Sequence, residues 1–238
     1  MSLTARLLDP ILTAAAARPL ITFYDDASGE RIELSAVTTA NWVAKAANLL
    51  RDECDVEPGG RVALMLPAHW QTATALLAVW SCGAEVVAEP AEADWVLSDA
   101  GRLDLALAAA PSGGVLALSL DAFGRGLDGL PDGVIDFATE VRLHGDEFVP
   151  WQPVPGDAPA LDGMPADEVA ARAVDRAAAL GLSTTDRVLS TRDWTSREDL
   201  TDGLLAVLAA GGSLVQVANA DPARLDRKYD TERCTLRL

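Results

Sequence analysis

The chain carries only two histidines, His69 and His144, and neither a GxSxG nor a GxxxxGK[ST] sequence. A Ser-His-Asp hydrolase triad therefore has few ways to assemble, and no Walker-type loop is present. His69 follows Pro67 at the start of a helical pattern, where a capping or packing role is expected ahead of general-base work. His144 neighbours Gly145 and Asp146 in a loop and reads as a structural side chain. GRGLDG, residues 124–129, satisfies GxGxxG letter for letter, but the dinucleotide fingerprint must close a strand and open a helix. Here Leu130, Pro131, Asp132 and Gly133 follow, so an irregular loop is predicted. Cys54, Cys82 and Cys234 lie far apart, without the CxxC spacing of a zinc or redox pair. The carboxylates show no EF-hand or HExxH order, so neither a metal nor a cofactor is expected.

The charge balance narrows the partners. Thirty-six Asp and Glu against 19 Lys and Arg give a formal net charge of −17, which repels phosphate backbones and anionic lipid surfaces. Nucleic acid and membrane are therefore excluded as expected partners, and solubility is the simplest use of the charge. Isolated thiols fit a reducing cytoplasm. The first 20 residues contain Arg6, Asp9, Pro10 and Arg18, which break any signal-peptide core, and read as an amphipathic helix.

Half of the residues are hydrophobic, enough at this length for a substantial core. Leu3, Leu7, Leu8, Ile11 and Leu12 recur at helical spacing, and LITFYD and ERIEL, flanking DASG, predict a hairpin. Ser35 is a natural N-cap for a helix carrying Val37, Trp42, Val43, Ala46, Leu49 and Leu50 on one face. Pro58-Gly59-Gly60 turns into the apolar run RVALML, a strand buried on both sides, which Pro67 ends. A helix over about 69–82 then closes on Gly83, followed by strands at 84–88, 94–97 and 114–118 with an alanine-rich helix before the last. After a short helix within 134–142, the alternation repeats as helix 165–180, strand 186–190, helix 197–210, strand 213–217 and helix 221–231. This order predicts an α/β fold of layered, mostly parallel sheets flanked by helices. Residues 1–145 are expected to form a first subdomain and 158–238 a second packed on it, joined by a loop at 146–157. Trp42, Trp70 and Trp80 are expected to pack in the core.

VEPGGRVALMLPAHWQTATALLAVWSCGAEVV, residues 56–87, resembles the N-terminal part of the adenylate-forming (AMP-binding, acyl-CoA synthetase-like) enzymes. Pro58, Gly59, Gly60, Arg61 and Val62 stand where those enzymes have a PGD-x-V turn, Pro67 at the Pro-Asn turn that follows, and Gly83 and Ala84 at the Gly-Ala pair that ends the next helix. Residues 31–56, 167–217 and 221–235 are similar to further structural blocks of the same superfamily. The chain also resembles an uncharacterised family of similarly short chains from mycothiol-making bacteria. The superfamily resemblance implies the fold of its N-terminal subdomains.

It also implies a Ser/Thr/Gly-rich loop ending in Pro-Lys-Gly, gripping ATP phosphates, between the matching blocks. At that place this chain reads GDAPALDGMPADEVAA, residues 156–171, with no Ser, Thr or Lys and with Asp157, Asp162 and Asp167 of the wrong sign for a phosphate. The sequence stops at Leu238, before the adenine- and ribose-binding segments and the C-terminal catalytic lysine that the resemblance would supply. The expectation is a non-catalytic relative that binds a small ligand or a protein partner, with a homodimer as one form. The alternative is a divergent adenylate-forming enzyme or a subunit completed by another chain. TRDWTSRED, residues 191–199, resembles the loop lining the carboxylate pocket of that superfamily, which makes Arg192, Asp193 and Trp194 candidate ligand residues alongside His69. The competing reading has Trp194 filling a seam and Arg192 paired at the surface.

Overall fold

A computed structural model describes all residues, 1–238. The chain divides into two compact units, each built on its own sheet. Unit 1 comprises Met1–Thr4, Ala40–Leu66 and Thr74–Asp167; unit 2 comprises Ala5–Thr39, Pro67–Ala73 and Glu168–Leu238. These limits differ from a division at 146–157. The reason is strand pairing: the early hairpin β1 (Pro19–Asp25) and β2 (Glu30–Ser35) joins the late strand β11 (Ser213–Ala218) by parallel pairing, and so belongs with the C-terminal third of the chain.

The sheet of unit 1 has seven strands. β3 (Arg61–Met65), β4 (Glu85–Val87), β5 (Trp95–Asp99), β6 (Gly114–Leu118), β7 (Val134–Asp136), β8 (Pro159–Leu161) and β9 (Met164–Pro165) lie in the order β7-β6-β5-β3-β4-β8-β9. Every pair is parallel except β8–β9. On one face Ala63, Val87, Val96 and Val115 form a buried cluster with Ala93 and Ala106, as apolar runs in a doubly covered sheet should. The sheet of unit 2 has the order β12-β10-β11-β1-β2, with β10 at Arg187–Ser190 and β12 at Leu236–Arg237, and only the β1–β2 pair is antiparallel.

The helices are α1 (Leu3–Ala15), α2 (Ala36–Asp52), α3 (Trp70–Ser81), α4 (Leu103–Ala108), α5 (Phe137–Glu140), α6 (Ala166–Ala179), α7 (Arg197–Leu200), α8 (Ala206–Ala209) and α9 (Pro222–Thr231). Gly83 ends α3 as its type predicts: its φ is +78°, and a Cβ there would stand 2.9 Å from Val154. Trp80 is buried, Trp70 is buried, and Trp42 is half-buried. Residues 124–129 form a loop between β6 and β7 with no helix following. Two departures from the predicted elements matter for function. The helix expected over 197–210 is interrupted by a π-helical turn at Thr201–Leu205, and the segment before α6 is the hairpin β8–β9. No helix is long and apolar enough to cross a membrane.

Candidate functional site

In unit 2 the register aligns Ser190 on β10, Gln216 on β11 and Phe23 on β1. Parallel partners in register point to the same side of a sheet, so these three side chains form one row. The loop 191–196 leaves the C-terminal end of β10 above this row, the position from which open α/β sheets present ligand-binding groups. Two bonds fold it back over the sheet. Arg192 N–H donates to Ser190 Oγ at 3.2 Å, and Gln216 Nε2 donates to the Arg192 carbonyl at 2.9 Å. Ser196 then caps α7 by accepting the Asp199 N–H at 3.0 Å.

The π-helical turn brings Gly203 beneath the loop. A Cβ on Gly203 would lie 2.7 Å from Trp194 Nε1 and 3.6 Å from Arg192 Cβ, so the indole rests on the bare glycine backbone. π-Turns concentrate at functional sites because they widen a helix locally and re-aim its side chains. Three polar atoms of this cluster are buried with no hydrogen-bond partner: Trp194 Nε1, Arg192 Nε and Gln216 Oε1. Each such atom costs about 1–3 kcal/mol when left unpaired, so three in one contiguous cluster call for a reason beyond packing. Together they offer two N–H donors and one carbonyl acceptor.

An ionic frame holds the loop from outside. The Arg192 guanidinium lies 3.5 Å from Asp199 and 3.7 Å from Asp202, and Asp202 accepts two bonds from Arg176 at 2.6 and 2.8 Å. The hydrogen bonds from Arg176 hold the Asp202 carboxyl below the ordinary carboxylate range, against the opposing effect of burial. Asp193 is solvent-exposed and makes none of these contacts. His69 sits over the adjacent strand: its ring meets Phe23 edge-on at 4.2 Å, and its Nδ1 accepts the Gln71 N–H at 3.1 Å at the start of α3. Its Nε2 faces Glu30 Oε1 at 3.9 Å, and neither atom has a hydrogen-bond partner. The structure thus groups Arg192 with Trp194, adds Gln216 and Gly203, and leaves Asp193 outside. The one signal for Gln216 in the sequence is a polar residue in the middle of the apolar run LVQV.

In unit 1 the segment where the superfamily resemblance implies a phosphate-gripping loop contains a tight hairpin. Asp162 and Gly163 form its turn with φ of +46° and +77°, the backbone that an Asp-Gly pair favours. Its amides are used internally. Asp162 N–H donates to the Val86 carbonyl at 2.9 Å, Ala166 N–H to Ala158 at 2.9 Å and Asp167 N–H to Gly156 at 2.8 Å. Gly163 N–H donates to the buried Glu85 carboxylate, and the Asp167 carboxylate packs against Gly156 where a side chain would otherwise stand. An anion arriving here meets carboxylates and few unspent donors.

No family model matches the chain. A TIGR03089 family protein of Mycobacterium tuberculosis (strain ATCC 25618 / H37Rv) is 53% identical over 238 residues, spanning 98% of this chain and 97% of that protein. Among solved structures, an acyl-CoA synthetase from Brucella canis superposes with a TM-score of 0.77 at 18% identity, covering 98% of this chain and 46% of its own. The anthranilate CoA ligase AuaEII in complex with anthranoyl-AMP gives 0.77 at 15% identity, covering 100% and 49%. A benzoate CoA ligase from Burkholderia xenovorans LB400 gives 0.75 at 15% identity, covering 100% and 50%. The chain spans at most half the length of these ligases, and at such identities the likeness is one of fold.

Proposed function

The chain belongs to the TIGR03089 family. We propose that it is a binding protein on an AMP-binding-like fold, holding a small carboxylate or carboxamide ligand without activating it. The observation that carries this reading is the Gly163 N–H donated to Glu85, in a hairpin whose Asp162, Ala166 and Asp167 amides are also bonded within the protein. A nucleotide's phosphates need several free N–H groups and a cation, and the internal carboxylates supply the opposite. The ligand end of the reading rests on the Trp194, Arg192 and Gln216 cluster, whose two donors and one acceptor complement a carboxylate or a primary carboxamide.

The deciding measurement is calorimetric titration with MgATP, alone and with benzoate or anthranilate, together with pyrophosphate exchange. The expected result is no nucleotide binding and no exchange. Tight MgATP binding with exchange overturns the reading in favour of a divergent adenylate-forming enzyme or a subunit completed by another chain. Titration with benzoate and benzamide tests the second half, by a change in tryptophan emission that disappears in Trp194→Phe.

Self-association is a second reading, supported by three large apolar side chains exposed within one short segment of unit 1: Leu143 at 77%, Val149 at 73% and Trp151 at 61%. Patches of this kind commonly mark association surfaces. Light scattering of the parent protein and a Val149→Asp, Trp151→Ser variant decides it, with a dimer expected for the first and a monomer for the second.

A further inference from the structure

The C-terminal end of β1, its turn into β2 and the helix α9 frame another cavity in unit 2, of about 490 Å3. The volume falls within the range of small-molecule sites, roughly 300–1,000 Å3.

One wall carries Arg224, Arg227 and Lys228, brought to one face of α9 by their spacing of three and four residues. The other carries Asp25, Asp26 and Glu30 of the β1–β2 hairpin. Most of these charges are matched within the protein. Lys228 Nζ donates to Asp26 at 2.6 Å, Arg224 lies 3.8 Å from Asp26 and 3.2 Å from Asp221, and Asp25 accepts from Asn219 Nδ2 at 2.8 Å and from Ala27 N–H at 2.9 Å.

Two charges are left over, one on each wall. Arg227 is exposed and forms no ion pair. Glu30 lines the cavity and its carboxylate accepts no hydrogen bond, its Oε1 being buried on the side away from the cavity's solvent. Facing that oxygen at 3.9 Å is Nε2 of His69, itself without a partner on a side chain only 4% exposed. At that distance His69 does not supply the missing donor.

We propose that this cavity binds an amino-acid-like zwitterion, with its anionic group on Arg227 and its ammonium on Glu30. A purely anionic ligand approaches against the field of a chain of formal charge −17, and a purely cationic one meets three basic residues on one wall. A molecule carrying both charges satisfies both leftover groups at once. This inference goes beyond the reading of the Trp194 cluster and does not depend on it.

The experiment is calorimetric titration of the full chain with glycine, β-alanine, 4-aminobutyrate and 6-aminohexanoate, a series that varies the charge separation. Butyrate and butylamine serve as single-charge controls. At least one amino acid binds, and its matched single-charge counterparts bind more weakly by about tenfold or more. Arg227→Ala and Glu30→Gln each weaken the amino acid by about tenfold. Arg227 is exposed, so its variant remains decisive even where Glu30→Gln fails to fold. No binding across the series, equal binding of butyrate or butylamine, or undiminished binding by Arg227→Ala overturns the proposal.

Discussion

The amide of Gly163 donates its hydrogen to the carboxylate of Glu85, a side chain buried at the start of β4. This bond joins the turn of a late hairpin to an early strand and turns an amide inward at the place where the superfamily resemblance would have it turn toward a phosphate. Glu85→Ala should lower stability by about 1 kcal/mol by leaving that donor to water, while Glu85→Gln, which keeps an acceptor oxygen, should retain most of it. Urea denaturation midpoints of the two variants check the ordering.

The same hairpin is anchored from below. Trp80 Nε1 donates to the Ala160 carbonyl at 2.7 Å, and Trp80 is only 1% exposed. Trp80→Phe keeps most of the apolar volume but strands a buried carbonyl, so a loss of about 1–3 kcal/mol is expected. Chemical denaturation measures it, and an unchanged midpoint would show that the bond contributes nothing.

Gly203→Ala places a methyl group 2.7 Å from Trp194 Nε1, closer than a Cβ contact allows. The indole must move, so tryptophan emission should shift and benzoate binding should fall, with far-UV circular dichroism retained. A variant with parental emission and affinity would separate Trp194 from the proposed site.

The acid limb of stability should depend on Glu232. Burial pushes its carboxyl up, but hydrogen bonds from Tyr24, Arg187 and Arg31 outweigh this and leave it below the ordinary range. Asp202 and Asp186 are likewise held low, by bonds from Arg176 and from Ser183 and Thr235 respectively. A folded carboxyl held below its unfolded value stabilises the protein above the unfolded pKa, and that contribution is lost as pH falls through the folded value. Urea midpoints should therefore drop below the normal carboxylate range, and the drop should be smaller in Glu232→Gln.

All three thiols should be silent in the native protein. Burial pushes Cys54 and Cys82 up to about 12 and Cys234 to about 11. Thiolate is the reactive form, so iodoacetamide near neutral pH should leave the folded chain unmodified and add three groups after unfolding. Intact mass before and after urea gives the count.

Much of the frame is legible along the chain because its signals are local. RVALM reads as a doubly buried strand, Gly83 as a left-handed cap and Ser35 as a place to begin a helix, since each depends on near neighbours. Residues 134–142 are harder. The structure splits them into the strand Val134–Asp136 and the helix Phe137–Glu140, both too short for periodicity to appear. The Asp162-Gly163 turn has its sequence signal, yet the strands it joins are three and two residues long.

By itself, then, the sequence determines the α/β alternation, the sheet-buried runs and the acidic net charge, because propensity, pattern and charge are carried residue by residue. Tertiary structure alone decides that Gln216, 24 positions after Arg192, ties that loop down, that Gly203 makes room for Trp194, and that Glu85 meets Gly163 across 78 residues. Those relationships depend on strand order and register, which join residues distant in the chain, and no local pattern encodes such pairings.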